Sequence, residues 1–426
     1  MHIHRQTLII PLFLLGLVLW AAPAYAGSPV KALTLEEALE RALTANPELT
    51  AFRGKITKGK ARLQQAGLYP NPDLAFELEG FGGSGNFQGT GNAERTLTIE
   101  QDILLGGKIK NRRRVKAEEI EYSRREMKIL EQDIRKEVKQ AFIKTAGARK
   151  AVKLQQELMD LSQRVHEAVR QKADAGRVSR IEAVKAEIEL KNNLQILRTL
   201  NHRLERARKN LASFWGSEKP EFGKVTADLG SLPDLPSFAD LKTGLRKSPD
   251  NSRFQTRKKL EQARHDLALA RSKPDLKLSG GYRQIPETDD NAFIFEIAIP
   301  LQIFDRNQGN IKAAGLATEQ VADQRAAALN TLDKKLNDAY QKALSDREEI
   351  QTLQEDIIPA SREVFTAKKE GYQDGEFPFL ELLDAQRVLF ESQQRYNEAL
   401  VSYHLAIAEI ERITPVKDIT KRIGQE

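Results

Sequence analysis

PDLAFELE at residues 72–79 and PDLKLSGGYR at residues 274–283 open with the same three residues, and each begins a segment in which apolar and polar side chains alternate. The likeness extends well beyond them. At one constant separation of about 200 residues, Pro47 aligns with Pro249, Phe52 with Phe254, and Ala61-Arg62 with Ala263-Arg264. Further along, a separation about three residues shorter aligns Gly176 with Gly375, Ile181 with Leu380, Glu182 with Glu381, Val184 with Leu383 and Ala186 with Ala385. A register that slips only where a loop tolerates a change of length marks a duplicated unit.

Each copy holds two alternating segments. Leu74, Phe76 and Leu78 alternate with Ala75, Glu77 and Glu79, while Leu97, Ile99 and Ile103 alternate with Thr96, Thr98, Glu100 and Asp102. In the second copy Leu276, Leu278 and Tyr282 alternate with Lys277, Ser279 and Arg283, and Phe293, Phe295, Ile297 and Ile299 with Ile294, Glu296 and Ala298. This period of two predicts strands over about 73–81, 95–104, 275–283 and 292–301. Each is about 9 to 11 residues long, the length a tilted strand needs to cross a bilayer. A sheet half-buried on a soluble core would alternate in the same way. Four strands cannot close a barrel, and open strand edges are not viable in lipid. Either the sheet is soluble or the chain oligomerises.

The rest of each copy is helical. No proline occurs from Asp73 through Lys219, and between Arg112 and Ser213 the only glycines are Gly147 and Gly176. Met127, Leu130, Ile134, Val138, Ala141 and Thr145 recur at spacings of three and four, a narrow stripe suited to coiled-coil packing. About 60 residues of helix, from Lys110 to Lys172, would reach roughly 90 Å. Gly176 and Ser179 provide a left-handed stop and an N-cap for the return helix. The second copy repeats the hairpin from about Asn310, around Gly375, to about Ile413, with Pro359 expected to bend its outgoing arm. One shorter helix opens each copy, Leu35 to Leu68 and Phe238 to Ser272, the first with Thr34 and Glu37 in capping-box spacing. The fold class is therefore mainly α with a small β part. The repeats span 27–216, with its helical hairpin at about 110–214, and 238–414, with its hairpin at about 310–413; the segment 217–237 joins them and 415–426 forms a tail.

Residues 1–26 read as a cleavable secretory signal: Arg5 is the only charge, Thr7 to Trp20 is a short apolar run, and Ala24-Tyr25-Ala26 is a small-x-small site. There is no cysteine, so no disulfide, thiolate metal site or lipidated cysteine is available. Loss of Arg5 lowers the formal charge of +7 by one, and Lys and Arg alternate with Glu and Asp along the helices as on a solvated surface. No nucleic-acid partner is expected. His166, His202, His265 and His404 sit at no metal-binding spacing. The glycines from Gly82 to Gly85 lack a phosphate-loop ending, and no catalytic constellation is present. No enzyme, metal site or cofactor is expected.

The opening Leu35-Glu-Glu-Ala-Leu39 with Ala45-Asn-Pro-Glu48, the Leu105-Gly-Gly-Lys108 turn after the second strand, its counterpart Phe304-Asp-Arg306, and the segment Gly375 to Gln386 together resemble the TolC-like outer-membrane efflux protein family, and within it the CzcC-like heavy-metal branch. The resemblance implies a homotrimer whose protomers each give four strands to one 12-stranded outer-membrane β-barrel, continued by an α-helical periplasmic barrel. It also implies a passive exit duct for heavy-metal cations or drugs, working with a periplasmic adaptor and an inner-membrane pump of RND type. Phe293, Phe295, Ile297 and Ile299 would then face lipid, and the turns at Gly176 and Gly375 would receive the adaptor. Glu381 and Asp384, three apart on one helix face, would ring the periplasmic gate as six carboxylates, with Glu182 as the first-copy equivalent of Glu381. In the family a basic residue two positions after the second turn glycine pairs with that first-copy acid; the position is Phe377 here, which leaves Arg177 and Arg180 as the candidate substitutes. The competing expectation is a periplasmic coiled-coil adaptor or scaffold of a transport complex.

Overall fold

The computed structural model describes residues 32–415; the expected signal at 1–26 and the tail beyond Pro415 lie outside the described residues. The first copy runs α1 (Leu35–Ala45), α2 (Pro47–Ala66), β1 (Asp73–Glu79), β2 (Glu94–Ile103), α3 (Lys108–Asp174) and α4 (Arg180–Ser213). The second runs α5 (Phe238–Arg246), α6 (Pro249–Arg271), β3 (Leu276–Ile285), β4 (Asp290–Ala298), α7 (Gln308–Thr352), α8 (Ile358–Asp374) and α9 (Phe379–Ile413). The 67 residues of α3 give a rod of about 100 Å.

Two expectations need correction. The opening helix of each copy is a pair, because Pro47 and Pro249 each sit at the first position of a new helix. There the missing N–H costs nothing and the fixed φ suits helix entry. Asn46 caps α2 by accepting from the Glu48 and Leu49 N–H groups, and Ser248 caps α6 by accepting from Asn251. β4 ends at Ala298, so Ile299 lies just beyond the strand. Pro300 follows it and has no N–H to give a ladder. The bend expected near Pro359 falls at a π-helical turn, Leu353–Ile357, which separates α7 from α8.

The main core lies midway along the rods. Phe142, Ile143, Leu211, Leu336, Leu400 and Tyr403 meet there, joined by Phe222 and Val225 of the linking segment. A short parallel bridge pairs Leu33 with Val225, and Tyr403 Oη and His404 Nε2 reach the carbonyl oxygens of Pro233 and Leu229 at 2.7 and 2.9 Å. The linking segment is thus fastened to α9. A second cluster, Val169, Ala186, Tyr372, Phe379 and Leu382, closes the far ends of the hairpins. Between them lies a buried polar layer, in which Asn193 Nδ2 and Gln386 Nε2 both donate to Ser162 Oγ, at 2.9 and 3.3 Å. Such a layer specifies one register of the packed helices.

Gly147 lets α3 and α9 touch: a Cβ there would fall inside the Val401 side chain, and the Gly147 carbonyl accepts from Asn397 Nδ2 at 3.0 Å. Gly147→Ala should cost about 1–3 kcal/mol through overpacking. A lower thermal midpoint, restored by adding Val401→Ala, checks this. His404 supplies a pH test. Burial pushes its imidazole below the ordinary value, against the opposing pull of the Leu229 bond, Asp228 and Glu411. The unfolded chain therefore takes up a proton near pH ~6.5 where the folded chain resists it, so stability is full above that pH and falls below it. In thermal unfolding across pH 5 to 8, His404→Gln should flatten the acid-side loss, where pH 5 to 8 is roughly the range in which histidine titrates.

Candidate functional site

The sheet is antiparallel throughout, in the order β1-β2-β3-β4. Its register aligns the alternation of all four strands. Phe76, Leu97, Tyr282 and Phe293 form one cross-strand row, and Leu74, Ile99, Gly280 and Phe295 the next. This apolar face is open: Phe293 is 90% exposed, Phe295 and Leu74 72%, and Ile297 56%. On the central strands β2 and β3 the polar face is the more shielded one, while Glu77, Glu79 and Glu296 of the edge strands are exposed. Thr96 and Ser279 are buried, Arg283 donates to Thr96 Oγ1 at 3.0 Å and approaches Glu94 at 3.4 Å, and Lys277 pairs with Glu100 at 3.0 Å. Relative to a soluble sheet this one is inside out, as lipid requires. β1 and β4 each have a neighbour on one side only, and no described helix is long and apolar enough to cross a membrane.

Tight turns convert these strands into rods. Gly107, at φ 70°, is the N-cap of α3, and Asn307, at φ 61°, is that of α7. Both are left-handed, a conformation open to glycine and tolerated by asparagine. Gly106 has no room for a Cβ against Lys273, and Lys108 pairs with Asp275 at 2.7 Å. The strand ends are thereby tied across the two copies.

At the opposite end Gly176 and Gly375 turn the hairpins at φ 72° and 84°. Backbone bonds from Arg177 to Lys172 and from Glu376 to Gly371 close the two turns alike, at 2.8 and 2.7 Å. The hairpins also hold each other. Lys172 Nζ donates to the Tyr372 carbonyl at 3.2 Å and lies 4.4 Å from the centre of the Tyr372 ring, placing a cation at the negative end of α8. Glu182 is half-buried near the Tyr372 phenol, whose pKa is raised by burial and further by Glu182.

Glu381 and Asp384 are exposed on the first turns of α9, but neither carboxylate is bare. Glu381 Oε2 accepts a bond from Lys368 Nζ, and Asp384 Oδ1 accepts from Arg387 at 2.6 Å. The expected substitutes, Arg177 and Arg180, are exposed and pair with none of these acids among the described residues. Lys368 reaches Glu381 from the preceding helix, with Phe377 beneath it. In a chain with 67 lysines and arginines, no spacing rule singles out Lys368 or Lys172. Only the turn that folds α8 against α9 brings Lys368 to Glu381.

The profile of the Outer membrane efflux protein family matches residues 38–217 and again 245–414, each match containing one strand pair and one helical hairpin. The chain belongs to the outer membrane efflux protein family. It is 30% identical to the cobalt-zinc-cadmium resistance protein CzcC of Cupriavidus metallidurans over 393 residues, 92% of each chain. Similar folds occur in a membrane protein from Pseudomonas aeruginosa (TM-score 0.75, 18% identity, 89% of this chain and 92% of that one). The open-state MtrE outer membrane channel of Neisseria gonorrhoeae is also alike (TM-score 0.72, 17% identity, 92% and 91%). As a member of this efflux family the protein is an outer-membrane channel with a periplasmic extension, the exit component of a tripartite system rather than its adaptor.

The facing of β4 gives a direct test. Ile297→Arg on the apolar face should cost roughly 2–4 kcal/mol and impair assembly, while Glu296→Arg on the opposite face should assemble nearly normally. Yields of folded, heat-modifiable protein from outer-membrane fractions compare them; equal tolerance at both positions would remove the sheet from the bilayer.

Proposed function

We propose that three copies close their sheets edge to edge into a 12-stranded barrel and their helical hairpins into one periplasmic tube. The observation that carries this reading is a sheet with an exposed apolar face, a polar face shielded on its two central strands, and two unpaired edges. An open edge in lipid leaves ladder groups unsatisfied, each costing several kcal/mol, so a spanning sheet must close. Four strands are too few for the smallest barrels, which have about eight. Three protomers give a closed wall.

The tube then leads from the hairpin turns to the outer surface, and the protein acts as a passive duct. The turns at Gly176 and Gly375 are the docking surface for a periplasmic adaptor, itself joined to an inner-membrane pump of RND type. Glu381 and Asp384 border the periplasmic aperture, with Glu182 behind them against Tyr372. Divalent heavy-metal cations are the cargo class, on the strength of the cobalt-zinc-cadmium resistance relative.

Mass measurement of detergent-purified protein should give about three copies per particle, the number that the 12-stranded barrel of the proposed trimer contains. A stable monomer that conducts ions would overturn the barrel. In single-channel recordings, replacing Glu381 and Asp384 together by Ala should lower cation preference and leave the trimer intact. Unchanged selectivity would make these acids a solvated helix face and place the aperture elsewhere.

A further inference from the structure

Three contacts at the second turn act in series. Gly371 leaves a notch that the Phe377 ring fills, since a Cβ at that position would fall within the ring. The ring so fixed carries the Lys368 ammonium 3.6 Å from its centre. That ammonium in turn caps Glu381, and its side chain is less exposed than the carboxylate it covers, 27% against 45%. The cation is therefore held from behind by a π face while its front covers the acid. The Asp384–Arg387 pair beside it lacks such a seat, and both of its side chains are more than 60% exposed.

We propose that Lys368 is a built-in counter-cation that competes with permeating divalent cations for Glu381 and so sets how strongly the periplasmic aperture binds them. The proposal rests on the reading that Glu381 borders that aperture. A carboxylate already paired with an ammonium offers little to a monovalent ion, whereas a divalent ion brings twice the charge to the same oxygens. Displacement costs the lysine one ion pair but leaves the Phe377 face, where an ammonium remains attracted to the ring quadrupole. The displaced group stays within reach of Glu381 and recaptures it when the ion leaves. Binding strong enough to admit an ion and weak enough to release it is what conduction requires of a charged ring.

The test is block of single trimeric channels in planar bilayers by calcium chloride added on the side of the helical turns. Calcium takes carboxylate oxygen and not imidazole, so it probes the acids alone. Lys368→Met should be blocked at about threefold to fivefold lower calcium, the competition expected of one part-exposed ion pair. Phe377→Leu should shift block in the same direction by less, and Lys368→Arg should stay near wild type. If Lys368→Met does not assemble as a trimer, Phe377→Leu decides in its place. Unchanged block in the lysine and phenylalanine variants, with block weakened in Glu381→Gln, overturns the counter-cation and leaves the aperture standing. Unchanged block in Glu381→Gln as well overturns both.

Discussion

Hydrocarbon offers no hydrogen-bond partner to the edge of a β-sheet, and that constraint orders the rest of this chain. Along each strand the apolar side chains line one face, so the ion pairs of Arg283 and Lys277 lie on the opposite, polar face. At the membrane boundary each strand pair must hand over to a structure whose backbone is satisfied internally, and a helix is the immediate solution. Gly107 and Asn307, left-handed at equivalent points of the two copies, make that change of direction within a few residues. The cross-copy pair of Lys108 with Asp275 keeps the two changes aligned. The same edge constraint requires that a spanning sheet of four strands close with other copies.

Helices as long as α3 reach well beyond the main core and must find partners along their length. α3 meets that need differently at successive levels. Against α9 it uses Gly147 for close backbone approach; lower down it shares the Ser162, Asn193 and Gln386 layer; at the turn Lys172 reaches the end of α8. The first contact gains from packing, the second from hydrogen bonds that fit one register, and the third from a cation at a helix C-terminus. The last involves a side chain partly open to solvent, and it sits at the end where the duct is proposed to open.

Much of this was legible in the sequence because it rests on periodicity. Alternation from Phe293 to Ile297 survives as an exposed row, and the proline-free run from Asp73 yields a helix of 67 residues. Pro47 and Pro249 were misread as interior to a helix because apolar spacing continues across them; what separates the helices is the cap at Asn46 and Ser248, a backbone event with no periodic trace. Glu381 and Asp384 were found by position, but their neutralisation was not. Phe377 signalled that a basic partner was missing from its usual place. The cation that meets Glu381, Lys368, lies 13 residues before it on the opposite arm of the turn, a distance that only the folded hairpin closes. Arg177 and Arg180, nearer in kind to the family's pattern, point to solvent instead.

On the proposed trimer, a neutralised acid ring would also resolve a conflict between closure and transport. Bare carboxylates from several chains brought to one aperture would repel one another and hold multivalent cations firmly, opposing both a closed rest state and rapid release. Pairing each acid within its own chain removes the repulsion without building contacts between chains that opening would have to break. The pairs are exposed enough to be worth only about 0–1 kcal/mol each, so an arriving ion or a docking partner can exchange with them at little cost. A buried lock would hold more tightly, but breaking it would strand an unpaired charge at a cost of about 3–5 kcal/mol. The burial gradient observed, with a half-shielded Lys368 over a more exposed Glu381, lies between a free ring and a fixed one.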